Sequence, residues 1–184
     1  MTNPEEVDDI VGKLFFEKYT AVHHIGEGSF GKIYLGKDIK TNDKFAIKFE
    51  SKKENNDLLK KEAYSMLDLK CVHLPKVYSY GSTNSYNILV MELLGDSLEC
   101  CLNKSSRKIS IKSTCMIGVE MVNILSFIHS KGFLHRDMKP DNFMFGRGSK
   151  VNKLYLIDFG LCKKYLDSNK NHLPIQTGKK LVGT

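Results

Sequence analysis

The sequence predicts an α+β chain in two parts: a small, mostly antiparallel sheet carrying one helix, then a mainly helical region. Three observations predict it. Apolar residues alternate through K-I-Y-L-G-K-D-I (32–39) and again through FAIKF (45–49), with the turn TNDK (41–44) between them, which is the pattern of a hairpin. A helical period follows residue 57, and at GDS (95–97) strand-like runs give way to a long apolar helix.

The elements follow in order. The glycine-rich stretch GEGSFGKIYLG (26–36) runs into the first strand of the hairpin, so its glycines lie inside an antiparallel sheet. Asn55, Asn56 and Asp57 form a helix start, and LLKKEAYSMLDLK after them places Leu59, Ala63 and Met66 at helical spacing over about three turns. KVYSYGS (76–82) and YNILVMEL (86–93) add two more strands. From Ser110 to Gly132 the apolar positions 111, 115, 119, 122, 125 and 128 predict a largely buried helix with Gly132 as its C′ residue. Short apolar runs then alternate with polar turns (FLHRD, NFMF, LYLIDFG), as loops held between small strands do.

Composition narrows the classes. A chain of 184 residues, 41% hydrophobic and 27% charged, has room for one domain or for two small lobes, and is not a disordered or fibrous sequence. Its net charge of +7 is spread along the chain rather than gathered in a block, so a specific nucleic-acid partner is not expected. The five cysteines form no C-x-x-C pair, which predicts reduced thiols and an intracellular, cytoplasmic or nuclear setting. No secretory signal or lipid motif is read, and the longest apolar stretch, ILVMELL (88–94), is too short to span a bilayer.

GEGSFGKIYLG fits three phosphate-binding loops. Gly26, Gly28 and Gly31 fit a dinucleotide fingerprint and the ATP-covering loop of protein kinases, while Gly26, Gly31 and Lys32 approach a Walker A loop; a ligand-free hairpin is the fourth reading. A dinucleotide site needs a helix after the glycines, and here a strand follows. Walker A also needs a hydroxyl for Mg²⁺ where Ile33 stands. Only the kinase-type loop and the plain hairpin survive.

Later residues separate those two. Phe45, Ile47 and Phe49 face one way on their strand, which puts Lys48 on the other face with the small Ala46 and leaves room for a flat ligand. Glu62 lies on the apolar stripe of the following helix and needs a cation, either Lys48 or, at the helix edge, Lys60 or Lys61. HRDMKPDN (135–142) sets Asp137, Lys139 and Asn142 close together in a loop, the residue types that general-base chemistry with metal and phosphate binding requires. Sixteen residues after Asn142, the strand LYLI ends in Asp158-Phe159-Gly160, a second carboxylate for a divalent cation.

With these motifs the chain resembles a eukaryotic protein kinase, and within that group the casein kinase I family of serine/threonine kinases. The closer likeness rests on ELLGDSLE (92–99), HRDMKPDNF (135–143), IDFGLCKKY (157–165) and HLPIQTGKKLVGT (172–184). The resemblance implies a bilobal fold: an N-terminal extension at 1–14, a kinase N-lobe at 15–94, and a mainly helical but incomplete C-lobe at 95–184. It implies ATP and Mg²⁺ as cofactors, and acidic or already phosphorylated proteins as substrates. ATP would be held by the loop residues Ile25, Gly26, Glu27, Gly28, Ser29, Phe30, Gly31, Lys32 and Ile33. Ala46 and Met144 would flank adenine, Glu92 and Leu94 would bond it at the hinge, and Met91 would be the gatekeeper. Lys48, oriented by Glu62, would hold the α- and β-phosphates. Asp137 would accept the substrate proton, Lys139 would steady the γ-phosphate, Asn142 and Asp158 would hold Mg²⁺, and Thr184 would bond near Asp137 and Lys139.

The chain departs from the family's pattern at Asp96, where a proline is usual, at Cys162, where an alanine is usual, and at Ile175-Gln176-Thr177, which replace a Tyr-Arg-Glu run. The family also continues into further helices after the position of Thr184. An apolar patch exposed on the helix at 110–132 is therefore expected, and an ATP-binding or partner-competing module without catalysis is the alternative function.

Overall fold

The computed structural model describes residues 10–28, 31–54, 57–174, 177–178 and 183. They form two compact units, one of the residues before Lys60 together with Lys76–Leu93, the other of Lys60–Pro75 together with the residues from Leu94 on.

The first unit is a six-stranded antiparallel sheet of β1 (Leu14–Phe15), β2 (Tyr19–Gly28), β3 (Gly31–Asp38), β4 (Lys44–Ser51), β5 (Val77–Ser82) and β6 (Tyr86–Glu92), in the order β1-β2-β3-β4-β6-β5. The sheet curls until its two ends meet. A Cβ on Gly81 of edge strand β5 would stand 2.5 Å from the ring of Phe16, which follows β1 at the other edge. Phe16 and Glu17 both take positive φ, 52° and 54°, in the three-residue connection from β1 to β2. Aromatic rings fill the inside. Phe49 meets Phe15, Tyr34 and Tyr86 edge-on at 5.0, 5.4 and 5.9 Å, a geometry that opposes ring edge to ring face. The alternation predicted for FAIKF holds, since Phe45, Ile47 and Phe49 join this core while Ala46 and Lys48, also buried, do not.

Helix α1 (Leu58–Leu69) starts in the first unit and continues in the second, with Leu59, Ala63, Met66 and Leu69 buried as its period predicts. Asn55 and Asn56 of the predicted helix start lie outside the described residues. The second unit adds α2 (Leu98–Lys104), α3 (Ile111–Ser130), β7 (Phe133–Leu134), β8 (Phe143–Phe145), β9 (Leu154–Leu156) and β10 (Lys163–Lys164). β7 pairs with β10 and β8 with β9, both antiparallel. Ser97 and Ser110 cap α2 and α3 by accepting from Cys100 N and Ser113 N, each at 3.1 Å, and Gly132 follows α3 at φ 78°, the left-handed C′ conformation.

One expectation is corrected on α3. Only Ile124 and Ile128 of its 20 residues are buried, so the helix is not the largely buried one its period predicts. Ile111, Met116, Val119 and Val122 stand open to solvent, the apolar patch that the resemblance implied. Among the described residues Ile111–Ser130 is the one helix long and apolar enough to cross a bilayer, a test by length and composition only that core helices also pass.

Candidate active site

In the first unit, strand register gathers the nucleotide-binding candidates. Gly26 pairs with Ile33, and Gly28 with Gly31, across the β2–β3 hairpin whose tip is Ser29-Phe30, two residues outside the described set. Ile33 faces Lys48 on β4, and Ala46 faces Met91 on β6. At two of these positions a side chain would meet a neighbour, a movable one at Gly28 and a fixed one at Gly31. A Cβ at Gly28 would lie 2.8 Å from Cε and 3.1 Å from Nζ of Lys48, and one at Gly31 would collide with the backbone carbonyl of Phe49. At Gly26 a Cβ would meet nothing within 4 Å, which leaves that side of the hairpin open. Gly28 thus lies against the end of the Lys48 side chain, a residue only 2% exposed. Ala46 and Met91 are buried beside it, Ile25 is exposed, and Glu92 donates its N–H to the Lys76 carbonyl at 2.8 Å.

In the second unit, Glu62 is 1% exposed on α1, as its place on the apolar stripe required. Leu94 is buried where the chain leaves β6, and the following segment is tied to β8 by Gly95 N donating to Phe145 O at 2.7 Å and by a bridge between Ser97 and Met144. After β7 the catalytic-loop candidates converge. Lys139 Nζ lies 2.9 Å from Asp137 Oδ2, and Asn142 Nδ2 donates to the same oxygen at 2.9 Å and to the Asp137 carbonyl at 2.8 Å. Two donors therefore grip one oxygen of a carboxylate that is 4% exposed. The bond to Asp137 raises the Lys139 pKa and keeps its ammonium charged. Asn142 thereby spends its NH₂ on Asp137.

His135 was not singled out from the sequence, yet it holds this loop in shape. Its ring is buried, Nδ1 accepts from Asp137 N at 3.3 Å, and Nε2 therefore carries the proton and donates to Ile157 O at 2.9 Å. Burial pushes its pKa down, so the ring is neutral, as both bonds require. It also meets the ring of Phe159 edge-on at 4.8 Å. One residue on from His135 and one before Phe159, Arg136 and Asp158 take left-handed φ of 69° and 63°, strain of the sort that surrounding structure holds at functional sites. Arg136 Nε donates to Leu161 O at 2.7 Å, tying the two strained turns together.

Asp158 and Asn142 are both buried and both offer oxygen ligands, the donor chemistry that Mg²⁺ prefers. Among the described residues no group of three or more His, Cys, Asp and Glu side chains forms a separate metal site. Thr184 lies outside the described residues, but its neighbour Gly183, at φ 109°, has its Cα hydrogen against the Arg136 carbonyl, where a Cβ would collide. Asp96 forms an ion pair with Lys104 at 2.7 Å, and burial pushes the Cys162 thiol up to about 11, so both departures are accommodated.

One unit carries a hairpin with paired glycines beside a buried lysine, the other a loop that holds a carboxylate, a lysine and an amide in mutual contact, and these are the residue types that phosphoryl transfer uses. Residues 19–184 match the protein kinase domain, and the chain belongs to the protein kinase family.

Proposed function

We propose that this protein is a serine/threonine kinase of casein kinase I type, moving the γ-phosphate of ATP to hydroxyls of acidic or already phosphorylated proteins. The observation that carries the phosphotransfer chemistry is the double grip of Lys139 and Asn142 on Asp137 Oδ2. It fixes the carboxylate that takes the proton as the substrate oxygen bonds to phosphorus and the bond from phosphorus to ADP breaks. Lys139, kept charged, neutralises the transferring phosphoryl group. Lys48 binds the α- and β-phosphates with Glu62 as its orienting carboxylate, and the Gly26–Gly31 loop supplies backbone N–H groups. Asn142 and Asp158 hold Mg²⁺, which when bound neutralises charge on the phosphates. The casein kinase I assignment is supported by ELLGDSLE, HRDMKPDNF and IDFGLCKKY and by the net charge of +7, which suits acidic substrates.

Its test is acceptor choice. The purified chain should label casein and acidic or phosphorylated Ser/Thr peptides in preference to basic ones, and phosphoamino-acid analysis should return phosphoserine and phosphothreonine. Labelling confined to tyrosine, or a preference for basic peptides, contradicts the assignment.

A further inference from the structure

The most buried carboxylate that the phosphotransfer reading leaves unused is Glu50, 1% exposed on β4. It stands two residues after Lys48, on the same face of the strand by alternation. Its Oε1 accepts from the N–H groups of Leu58 and Leu59, at 3.0 and 3.1 Å, the first two residues of α1. Those are donors that a helix cannot satisfy within itself. The first turn of α1 contains no acidic residue, and the carboxylate bonded to these two donors is supplied by the neighbouring strand.

Glu50 is itself held. Oε2 accepts from Asn87 Nδ2 at 2.9 Å, and Asn87 Oδ1 accepts from Ser82 Oγ at 2.7 Å. The three residues are direct cross-strand partners, Glu50 opposite Asn87 and Asn87 opposite Ser82, so the relay crosses β4, β6 and β5 in one row. Each hydrogen bond has a fixed polarity, which leaves the carboxylate one orientation.

We propose that Glu50 is a positioning residue for phosphotransfer: through the Ser82–Asn87–Glu50 relay it fixes the N-terminus of α1 to the strand that bears Lys48, and so sets the helix that carries Glu62 one turn further on. The role rests on the kinase reading, in which Glu62 orients Lys48.

Glu50→Met tests it, because the side chain fills a similar space and offers no carboxylate to the Leu58 and Leu59 N–H groups or to Asn87 Nδ2. Glu50→Gln combined with Asn87→Asp keeps every bond with polarity reversed, since the carboxylate accepts from both Ser82 and the new amide. In the full chain, at a temperature where every variant is folded by circular dichroism, Glu50→Met should speed amide hydrogen exchange in the first turn of α1. It should also lower kcat at saturating Mg·ATP, each roughly tenfold, about the worth of a helix cap. The double variant should stay close to wild type in both. Unchanged exchange in Glu50→Met, or faster exchange with unchanged kcat, overturns the proposal, as does a double variant no better than Glu50→Met. A wild-type chain that transfers no phosphate overturns the kinase reading, while the exchange data still judge the anchor by themselves.

Discussion

The glycines of the phosphate loop are not equivalent, and alanine at each separates their roles. Gly31→Ala forces a Cβ onto the Phe49 carbonyl and should cost about 1–3 kcal/mol of stability in urea denaturation. Gly28→Ala meets only the flexible end of Lys48, so the fold should survive while the KM for ATP rises. Gly26→Ala has open space and should alter stability by less than about 0.5 kcal/mol. His135 gives a pH signature. Its folded pKa lies below the ordinary value of 6.5, so the unfolded chain binds a proton that the folded chain refuses. Its contribution is whole above pH 6.5 and is lost as pH falls towards the folded pKa. Denaturation at about pH 7.5 and about pH 5.5 should show that loss, and His135→Phe should remove the difference. The sequence made Lys48, Glu62, Asp137 and Asn142 legible because each is a polar residue in a place that needs a partner. It hid His135 and Glu50, since a buried group satisfied by backbone and neighbouring side chains leaves no pattern along the chain.

Among the elements, periodicity located β3, β4, β6, α1 and α3 but misjudged what covers α3. An apolar period reports which face would be buried, not whether another element lies against it. Ile124 and Ile128 are fully buried and Val122 is 65% exposed, which yields a sharp contrast. Ile124→Ala should destabilise by about 2–5 kcal/mol, whereas Val122→Lys should change stability by less than about 0.5 kcal/mol and raise solubility. Comparable losses from both substitutions in thermal denaturation would mean that the exposed face is covered. α2 escaped separate notice because its seven residues are too few to display a period, and β1 and β10, two residues each, are set by pairing alone. The start of α1 was read from a side-chain cluster at 55–57, whereas the carboxylate bonded to its first two N–H groups comes from Glu50, eight residues before Leu58.

For the whole molecule, the α+β class and the protein kinase family follow from the curled sheet, the catalytic-loop geometry and the match over residues 19–184. The proposed chemistry draws on both compact units, with the glycine hairpin and Lys48 in one and the Asp137 loop and Asp158 in the other. A module that binds Mg·ATP without transferring phosphate is the competing account. The most direct discriminator is transfer of label from γ-labelled ATP to casein by the wild-type chain and by Asp137→Asn, alongside thermal stabilisation of both by Mg·ATP. The account predicts labelling by the wild-type chain, its loss by at least about a hundredfold in the variant, and stabilisation of both proteins by nucleotide. Equal labelling by the two, or stabilisation of the wild-type chain without any labelling, contradicts it.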